Sequence, residues 1–236
     1  MLPKIKHPTF EFVVPSTKKK ETFRPFLVKE EKILLLAKSS EDKTDILRAL
    51  KQVVNNCAIS SNFDIDKLTI FDLEYLFLKL RSVSVNNIAK VAYQDNEDQQ
   101  IYEFDIDLNT IEVKFPEKSE QNIKVTKDII IKMKYPSVTI LDDKGIVEAS
   151  DDSYFDLVLK CIDKVFDGED VYDVQSSTKE ELEEFLDQLS TPAFNKIQNF
   201  MNEMPKPYHE IEYVNKNGNP RKRSEEHTSE LQSRET

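Results

Sequence analysis

The stretch Thr69–Leu80, with the sequence TIFDLEYLFLKL, constrains the fold more than any other part of the chain. Its apolar residues recur at helical spacing and cover more than one narrow stripe, so the helix must be buried on most of its sides. Thr69 and Asp72 have the spacing of a capping box, which predicts that the helix begins near Thr69. The residues expected to be almost wholly buried are Leu73, Leu76, Phe77 and Leu80.

Beyond Leu80 the sequence changes from helical to strand-like patterning. The next residues are rich in valine and isoleucine, which favour strands. Several segments between Asn87 and Ile140 then alternate in character; in Ile101–Leu108, for example, one face is apolar and the other is acidic. Since the connections at Asp95–Gln99 and Pro116–Gln121 are short, we expect an antiparallel sheet rather than parallel strands joined by crossover helices.

The N-terminal part predicts a β-hairpin followed by helices. Thr9–Val14 alternates apolar and polar residues and is followed by Pro15, and apolar residues resume at Thr22–Val28. Pro25 cannot donate a hydrogen bond to a sheet, so the second strand lies at an edge or breaks there. Residues from Lys29 to Ala58 have helical spacing and predict a helical insertion between the hairpin and the sheet. In the first helix of this insertion one face carries Ile33, Leu34 and Ala37.

The chain becomes helical again after Gly145. One helix is expected from Ser153 to Val165, a second begins at Thr178 and a third begins at Thr191. A short strand is compatible with the sequence at Val171–Val174. The change from helical to strand periodicity and back predicts an α+β fold: an N-terminal β-hairpin, a helical insertion, an antiparallel sheet and a C-terminal helical module.

Composition and charge limit the partners that the chain can have. Its 236 residues, 39% of them hydrophobic and 33% charged, supply enough material for a buried core. The formal net charge of −11 repels phosphate backbones, which argues against nucleic acid and suits a basic protein partner. No apolar run approaches the roughly 20 residues of a membrane helix, and the N-terminal MLPKIKHPTFEF lacks the apolar core of a signal peptide. We therefore expect a cytoplasmic protein without membrane contact.

The residue types that carry catalysis or bind cofactors are sparse and scattered. The three glycines stand far apart, which excludes the glycine-rich loops of nucleotide-binding sites. The histidines are not paired with other ligands at metal-binding spacing, and Asp163–Val174 imitates a calcium loop but has valine at two ligand positions. Cys57 and Cys161 have apolar neighbours and are expected to be buried thiols. We accordingly expect no catalytic, cofactor-binding or metal-binding residue, and no enzymatic activity.

Five strings of the sequence together resemble a known protein family. They are TFEFVVPSTKKKETFRPFLVKEEKILLLA, FDLEYLFLKLRSVSVNN, KMKYPSV, PAFNKIQNFMNEMP and HEIEYVNKNG. In these strings the chain resembles the baseplate hub proteins of T4-like contractile-tailed bacteriophages, and the resemblance covers Leu2 to Lys222. It implies a structural or assembly protein of the tail baseplate hub that binds other hub proteins and has no catalytic residues.

The order of hairpin and helices is also similar to that of phage tail assembly chaperones, which hold the long helical tape-measure protein before the tail tube forms around it. This similarity implies an alternative function, an assembly factor that acts in the host cytoplasm and is absent from the mature virion. A permanent hub subunit would instead stay in the tail baseplate of the virion. A remote third alternative is a hub-associated cell-wall hydrolase, although no nucleophile and base stand at a recognisable spacing.

The C-terminal residues depart from the family resemblance. Tyr208–Val214 has the pattern of a strand and Asn217–Gly218 that of a hairpin turn, but RSEEHTSELQS, at Arg223–Ser233, resembles the translation of a standard short-read sequencing adapter. This resemblance implies an artefactual tail in which the return strand is missing, and the polar composition predicts disorder. We therefore expect an α+β domain at residues 1–145, a helical module ending in a truncated hairpin at residues 146–222, and a disordered tail at residues 223–236.

Overall fold

The computed structural model describes residues 5–40, 43–117, 121–143 and 151–225. Within these ranges it contains six α-helices and antiparallel β-sheets, which confirms the predicted α+β class. The chain divides into two units: the first combines residues 1–114 with residues 206–236, and the second comprises residues 115–205. This division differs from the predicted boundary near residue 145, because the C-terminal strands return to pair with a strand of the first unit.

The N-terminal hairpin forms as predicted. Strand β1 (Phe10–Val13) pairs with strand β2 (Lys20–Phe23) in an antiparallel register. Strand β2 ends before Pro25, in keeping with the missing amide proton of that residue. The fully buried Phe23 ring stacks on the Phe12 ring with 5.7 Å between the centroids, which anchors the hairpin to the core.

Three helices follow the hairpin, and a buried ion pair fixes the start of the first. They are α1 (Val28–Ser40), α2 (Lys43–Cys57) and α3 (Ile70–Ser84). The Arg24 guanidinium donates to both carboxylate oxygens of the fully buried Glu30, at 3.0 and 3.1 Å. The backbone amide of Leu27 donates to the same carboxylate at 3.0 Å. Because these donors compensate the buried charge, Glu30 holds the first turn of α1 against the chain that leaves β2.

Helix α3 has the predicted cap and the predicted burial. The Thr69 hydroxyl accepts from the Asp72 amide, and the Asp72 carboxylate accepts from the Thr69 amide at 3.0 Å. The amide and hydroxyl of Ser16, in the turn of the N-terminal hairpin, also donate to Asp72, at 2.9 and 2.6 Å. The prediction of a strand directly after Leu80 is wrong, since the helix continues to Ser84. The four apolar residues predicted to be buried are at most 4% exposed: Leu73, Leu76, Phe77 and Leu80.

The remaining strands of the first unit form two small antiparallel sheets. Strands β3 (Ile88–Gln94) and β4 (Ile101–Asp107) form a hairpin. In the other sheet β5 (Glu112–Lys114) pairs with β10 (Lys206–Val214), which pairs with β11 (Pro220–Glu225). One buried apolar cluster joins α3 to these strands: Leu78, Ala89, Val91, Tyr93, Ile106, Leu108, Ile111 and Ile211.

The second unit is a four-stranded antiparallel sheet packed with helices. Its strands lie in sequence order and are β6 (Asn122–Lys124), β7 (Ile129–Met133), β8 (Ile162–Asp167) and β9 (Asp170–Asp173). Its helices are α4 (Asp151–Cys161), α5 (Lys179–Asp187) and α6 (Thr191–Asn202). The apolar core of this unit includes Ile131, Met133, Val158, Ile162, Leu186, Ile197 and Phe200.

Two predictions about the strands are corrected. The strands between Asn87 and Ile140 belong to three sheets rather than to one, because β5 pairs with the distant β10 and β7 pairs with β8. The helix predicted to reach Val165 instead ends at Cys161, and β8 begins at the next residue. Pairing of β8 with strands on both sides outweighs the local helical pattern of its residues.

Candidate functional site

Two hairpin turns of the first unit are fastened to each other by a polar cluster, which we name the hairpin clasp. The turn between β3 and β4 spans residues 95–100, and the turn between β10 and β11 spans residues 215–219. The Glu97 carboxylate accepts from the side-chain amides of Asn215 and Asn219, at 3.1 and 2.6 Å. The Asp98 carboxylate accepts from the Lys216 backbone amide at 2.9 Å. Each turn therefore satisfies polar groups of the other, which holds the two hairpins side by side.

Asp95 is the buried centre of the hairpin clasp. Its fully buried carboxylate accepts from the Tyr213 hydroxyl at 2.6 Å and from the Arg221 Nε at 2.9 Å. It also accepts from the backbone amides of Glu97 and Asp98, at 2.8 and 3.3 Å. The hydrogen bond from Tyr213, together with those from the amides and Arg221, holds the pKa of Asp95 well below its ordinary value. The carboxylate therefore stays ionised and fixed, which suits a structural anchor rather than a group that exchanges protons.

Aromatic side chains reinforce the contact between the same two hairpins. The centroid of the Tyr213 ring, on β10, lies 4.8 Å from that of Tyr102, on β4. The Arg223 guanidinium, on β11, lies 5.2 Å from the centroid of the Tyr93 ring, on β3. Arg223 also donates to the backbone carbonyl of Gln94 at 3.0 Å. The C-terminal hairpin is thus bound to the β3–β4 hairpin by aromatic and cation–π contacts as well as by the hairpin clasp.

The prediction that the return strand is missing is wrong. Strand β11 pairs with β10 from Val214 opposite Pro220 to His209 opposite Glu225. The hydrogen bonds of a ladder join backbone groups, so a polar sequence can complete the pairing when its partner strand is already held in place. Arg223 to Glu225 are therefore ordered, contrary to the predicted disorder of the tail from residue 223. Residues 226–236 of that tail lie outside the described residues.

Helix α3 carries two ionisable groups that no sequence motif pointed to. The buried Lys79 donates through Nζ to the backbone carbonyls of Leu108 and Asn109, at 3.2 and 2.7 Å, and burial lowers the pKa of Lys79. The half-buried Glu74 has no hydrogen-bond or ion-pair partner among the described residues. Burial raises the pKa of Glu74 to about 7. Glu74 is therefore a carboxyl group that titrates near neutral pH.

The two cysteines are buried thiols, as predicted. Burial raises the pKa of Cys57 to about 11 and that of Cys161 to about 12, so both thiols stay protonated at neutral pH and are poor nucleophiles. Within the ranges that the structure describes, no three His, Cys, Asp or Glu side chains come together as a group that could hold a metal ion. In the same ranges no helix has the length and apolar content that crossing a bilayer requires.

Among the described residues, two elements each expose more than one large apolar side chain. Helix α1 exposes Val28, Leu35 and Leu36, with exposed fractions of 66%, 65% and 74%. The edge strand β9 exposes Val171 and Tyr172. Exposed apolar side chains that share one element are candidates for protein–protein contact. Sequence periodicity indicated that α1 has a buried face, but it gave no sign that the opposite face is also apolar.

Comparison with known proteins identifies the family. A family model described as T4 bacteriophage base plate protein matches residues 7–231. The match spans residues of both units and extends beyond residue 222, where the predicted tail was expected to depart from the family. Neither the comparison with curated proteins nor that with solved structures gives a match. Since the family model covers nearly the whole chain, the chain belongs to the family of the T4 bacteriophage base plate protein.

Proposed function

We propose that this chain is a non-enzymatic structural or assembly protein of the tail baseplate hub, which acts by binding other phage hub proteins. The observation that carries the proposal is the family match over residues 7–231. The resemblance of five strings, spread between Leu2 and Lys222, to baseplate hub proteins supports the hub as the location within the baseplate.

Four ionisable groups, two buried carboxylates and two buried thiols, support a binding role over a catalytic one. The Asp95 and Glu30 carboxylates are occupied by donors of the chain itself, and burial keeps the Cys57 and Cys161 thiols protonated. These groups stabilise the fold and are not held ready for proton transfer or nucleophilic attack. The exposed apolar side chains of α1, in contrast, have a function only if another molecule covers them.

The second candidate function is a chaperone that holds the tape-measure protein and leaves before the virion is complete. The net charge of −11 favours this role, because a strongly charged surface helps a protein to stay soluble after it releases its partner. A permanent subunit instead needs an apolar and specific interface of at least about 1,000 Å². In either role the protein is synthesised and binds its partner in the host cytoplasm, and only the subunit is retained in the tail baseplate.

Mass spectrometry of purified virions, beside a pull-down from infected cells, separates the two roles. Presence in virions at the stoichiometry of other hub proteins is the result expected for a subunit. Absence from virions together with recovery of the tape-measure protein from the lysate identifies a chaperone. Recovery of neither hub nor tape-measure proteins refutes both. A zymogram on bacterial peptidoglycan is the control for hydrolase activity, and clearing that one carboxylate substitution abolishes would overturn the non-enzymatic role.

A further inference from the structure

The outward side of helix α1 combines apolar and basic side chains. Val28 and Leu35 lie two helical turns apart on the same side of the helix, which is about 10.5 Å along the axis. Leu36 lies beside Leu35, and Lys32 lies between the two turns. We name this surface the α1 outer face; its apolar members, Val28, Leu35 and Leu36, are each about two-thirds exposed or more.

The charge of the α1 outer face is opposite to that of the chain. The exposed charged residues of α1 are Lys29, Glu31, Lys32 and Lys38, so three lysines accompany one glutamate in a chain of net charge −11. Lys29 lies 3.5 Å from the buried Glu30 carboxylate. Lys32 and Lys38 have no ion-pair partner among the described residues. The α1 outer face therefore offers apolar contact area together with positive charge that no described residue compensates in an ion pair.

We infer that the α1 outer face binds an amphipathic helix of another protein, whose apolar stripe is flanked by Asp and Glu residues. The partner segment is helical because the side of a helix offers no free backbone groups, so the segment must satisfy its own amides and carbonyls. Its apolar residues recur every two turns to match Val28 and Leu35. Its carboxylates face Lys32 and Lys38, and this pairing excludes basic helices.

A second copy of this chain is not the occupant. A two-fold contact between two α1 outer faces would bring Lys32 of each copy near the lysines of the other, and like charges would oppose the contact. Among the described helices, the most acidic is α5, with the sequence KEELEEFLD. Its apolar residues, Leu182, Phe185 and Leu186, are already packed in the core of the second unit.

The inference rests on the proposed function only in taking the role to be protein binding, and it holds for a partner anywhere in the baseplate.

The probe is a synthetic three-heptad helical peptide with Leu at the two apolar positions of each heptad, Glu at the flanking positions and Ala elsewhere. A matched peptide replaces every Glu with Lys. Fluorescence anisotropy of the labelled peptides, titrated with the full chain, is expected to show at least about tenfold tighter binding of the acidic peptide, weakened by added salt.

Three variants assign the binding to the α1 outer face. The double variant Leu35→Ser, Leu36→Ser is expected to weaken binding of the acidic peptide at least about tenfold. The double variant Lys32→Glu, Lys38→Glu is expected to reverse the preference toward the basic peptide. The matched control Val171→Ser removes an exposed apolar side chain from β9 and is expected to leave the affinity unchanged. All these positions are exposed, and circular dichroism checks that each variant is folded.

Several results overturn the inference. They are equal affinity for both peptides, affinity that the leucine substitutions do not change, or no saturable binding of the acidic peptide. Self-association of the chain in sedimentation equilibrium that Leu35→Ser, Leu36→Ser abolishes would identify a second copy as the occupant instead. If the acidic peptide binds as expected while the protein is absent from both hub and tape-measure complexes, the inference about the α1 outer face is supported and the proposed function is refuted.

Discussion

Replacing Glu74 with glutamine is expected to make the protein more stable at pH 8 and to leave its stability unchanged at pH 4. Glu74 is half-buried on α3 and has no partner among the described residues that compensates its charge. Folding therefore favours the protonated form, and burial raises the pKa from the ordinary 4.5 to about 7. Glutamine has nearly the shape of the protonated carboxyl and never ionises.

The sign and size of the effect follow from the two pKa values. Below pH 4.5 the carboxyl is protonated in the folded and the unfolded chain, so ionisation has no cost there. As the pH rises toward 7 the unfolded chain loses this proton before the folded chain does, and stability falls. One pKa unit corresponds to about 1.4 kcal/mol, so the difference between 4.5 and about 7 gives an upper limit of about 3.5 kcal/mol. Because Glu74 is partly accessible to water, we expect about 1–2 kcal/mol.

Urea denaturation of wild type and Glu74→Gln at several pH values between 4 and 8 measures the difference. The free-energy difference between the two proteins is the quantity of interest, since the titration of all other groups cancels in it. The matched control is Glu31→Gln, which makes the same substitution on the exposed surface of α1. A difference between wild type and Glu74→Gln that is the same at every pH would refute the assignment of a buried, uncompensated carboxyl to Glu74.

Three other substitutions or truncations test the core, the hairpin clasp and the return strand. Leu76→Ala should cost about 2–5 kcal/mol in chemical denaturation because it leaves a cavity under α3, and a loss below about 1 kcal/mol would contradict the central place of this helix. Asp95→Asn should lower the urea midpoint at pH 7. The difference from wild type should shrink as the pH falls below 3.8, because Asp95 then becomes protonated in the unfolded wild-type chain. A difference that stays constant with pH would contradict a buried ion pair at Asp95. Truncation after Lys222 should lower the melting temperature by a few degrees relative to truncation after Glu225, because it removes the Arg223 contacts with Tyr93 and Gln94. Equal melting temperatures would mean that the end of β11 does not contribute to stability.

Local features of the sequence predicted local features of the structure well. The capping box at Thr69 and the apolar spacing of α3 were sufficient to place the helix and its buried face, because both depend on residues within four positions of one another. The N-terminal hairpin was predictable for the same reason. The end of α3 was not, since the helix continues to Ser84 through Val83, whose β-branched side chain favours strands.

The pairing of distant segments could not be read from the sequence. Asp95 and Tyr213 are 118 residues apart, and neither turn of the hairpin clasp contains a sequence motif that predicts contact with the other turn. The pairing of β5 with β10 likewise joins segments on either side of the whole second unit. Strand pairing is decided by which backbone edges the rest of the fold leaves available, and this depends on the complete topology. The same dependence explains why the composition after Lys222 predicted disorder although the structure shows a paired strand.

The α1 outer face also bears on whether the protein remains in the virion. Covering a fully exposed leucine or valine contributes about 1.5–3 kcal/mol, and these side chains are already about one-third buried, so covering Val28, Leu35 and Leu36 supplies roughly 3–6 kcal/mol. Association costs at least about 4 kcal/mol in lost translational and rotational freedom. The three apolar side chains alone are therefore insufficient for a permanent contact, and a reversible contact also needs the charge pairing of the lysines. A permanent hub subunit must bury a further surface, and the exposed apolar side chains of β9 are the next candidates for it.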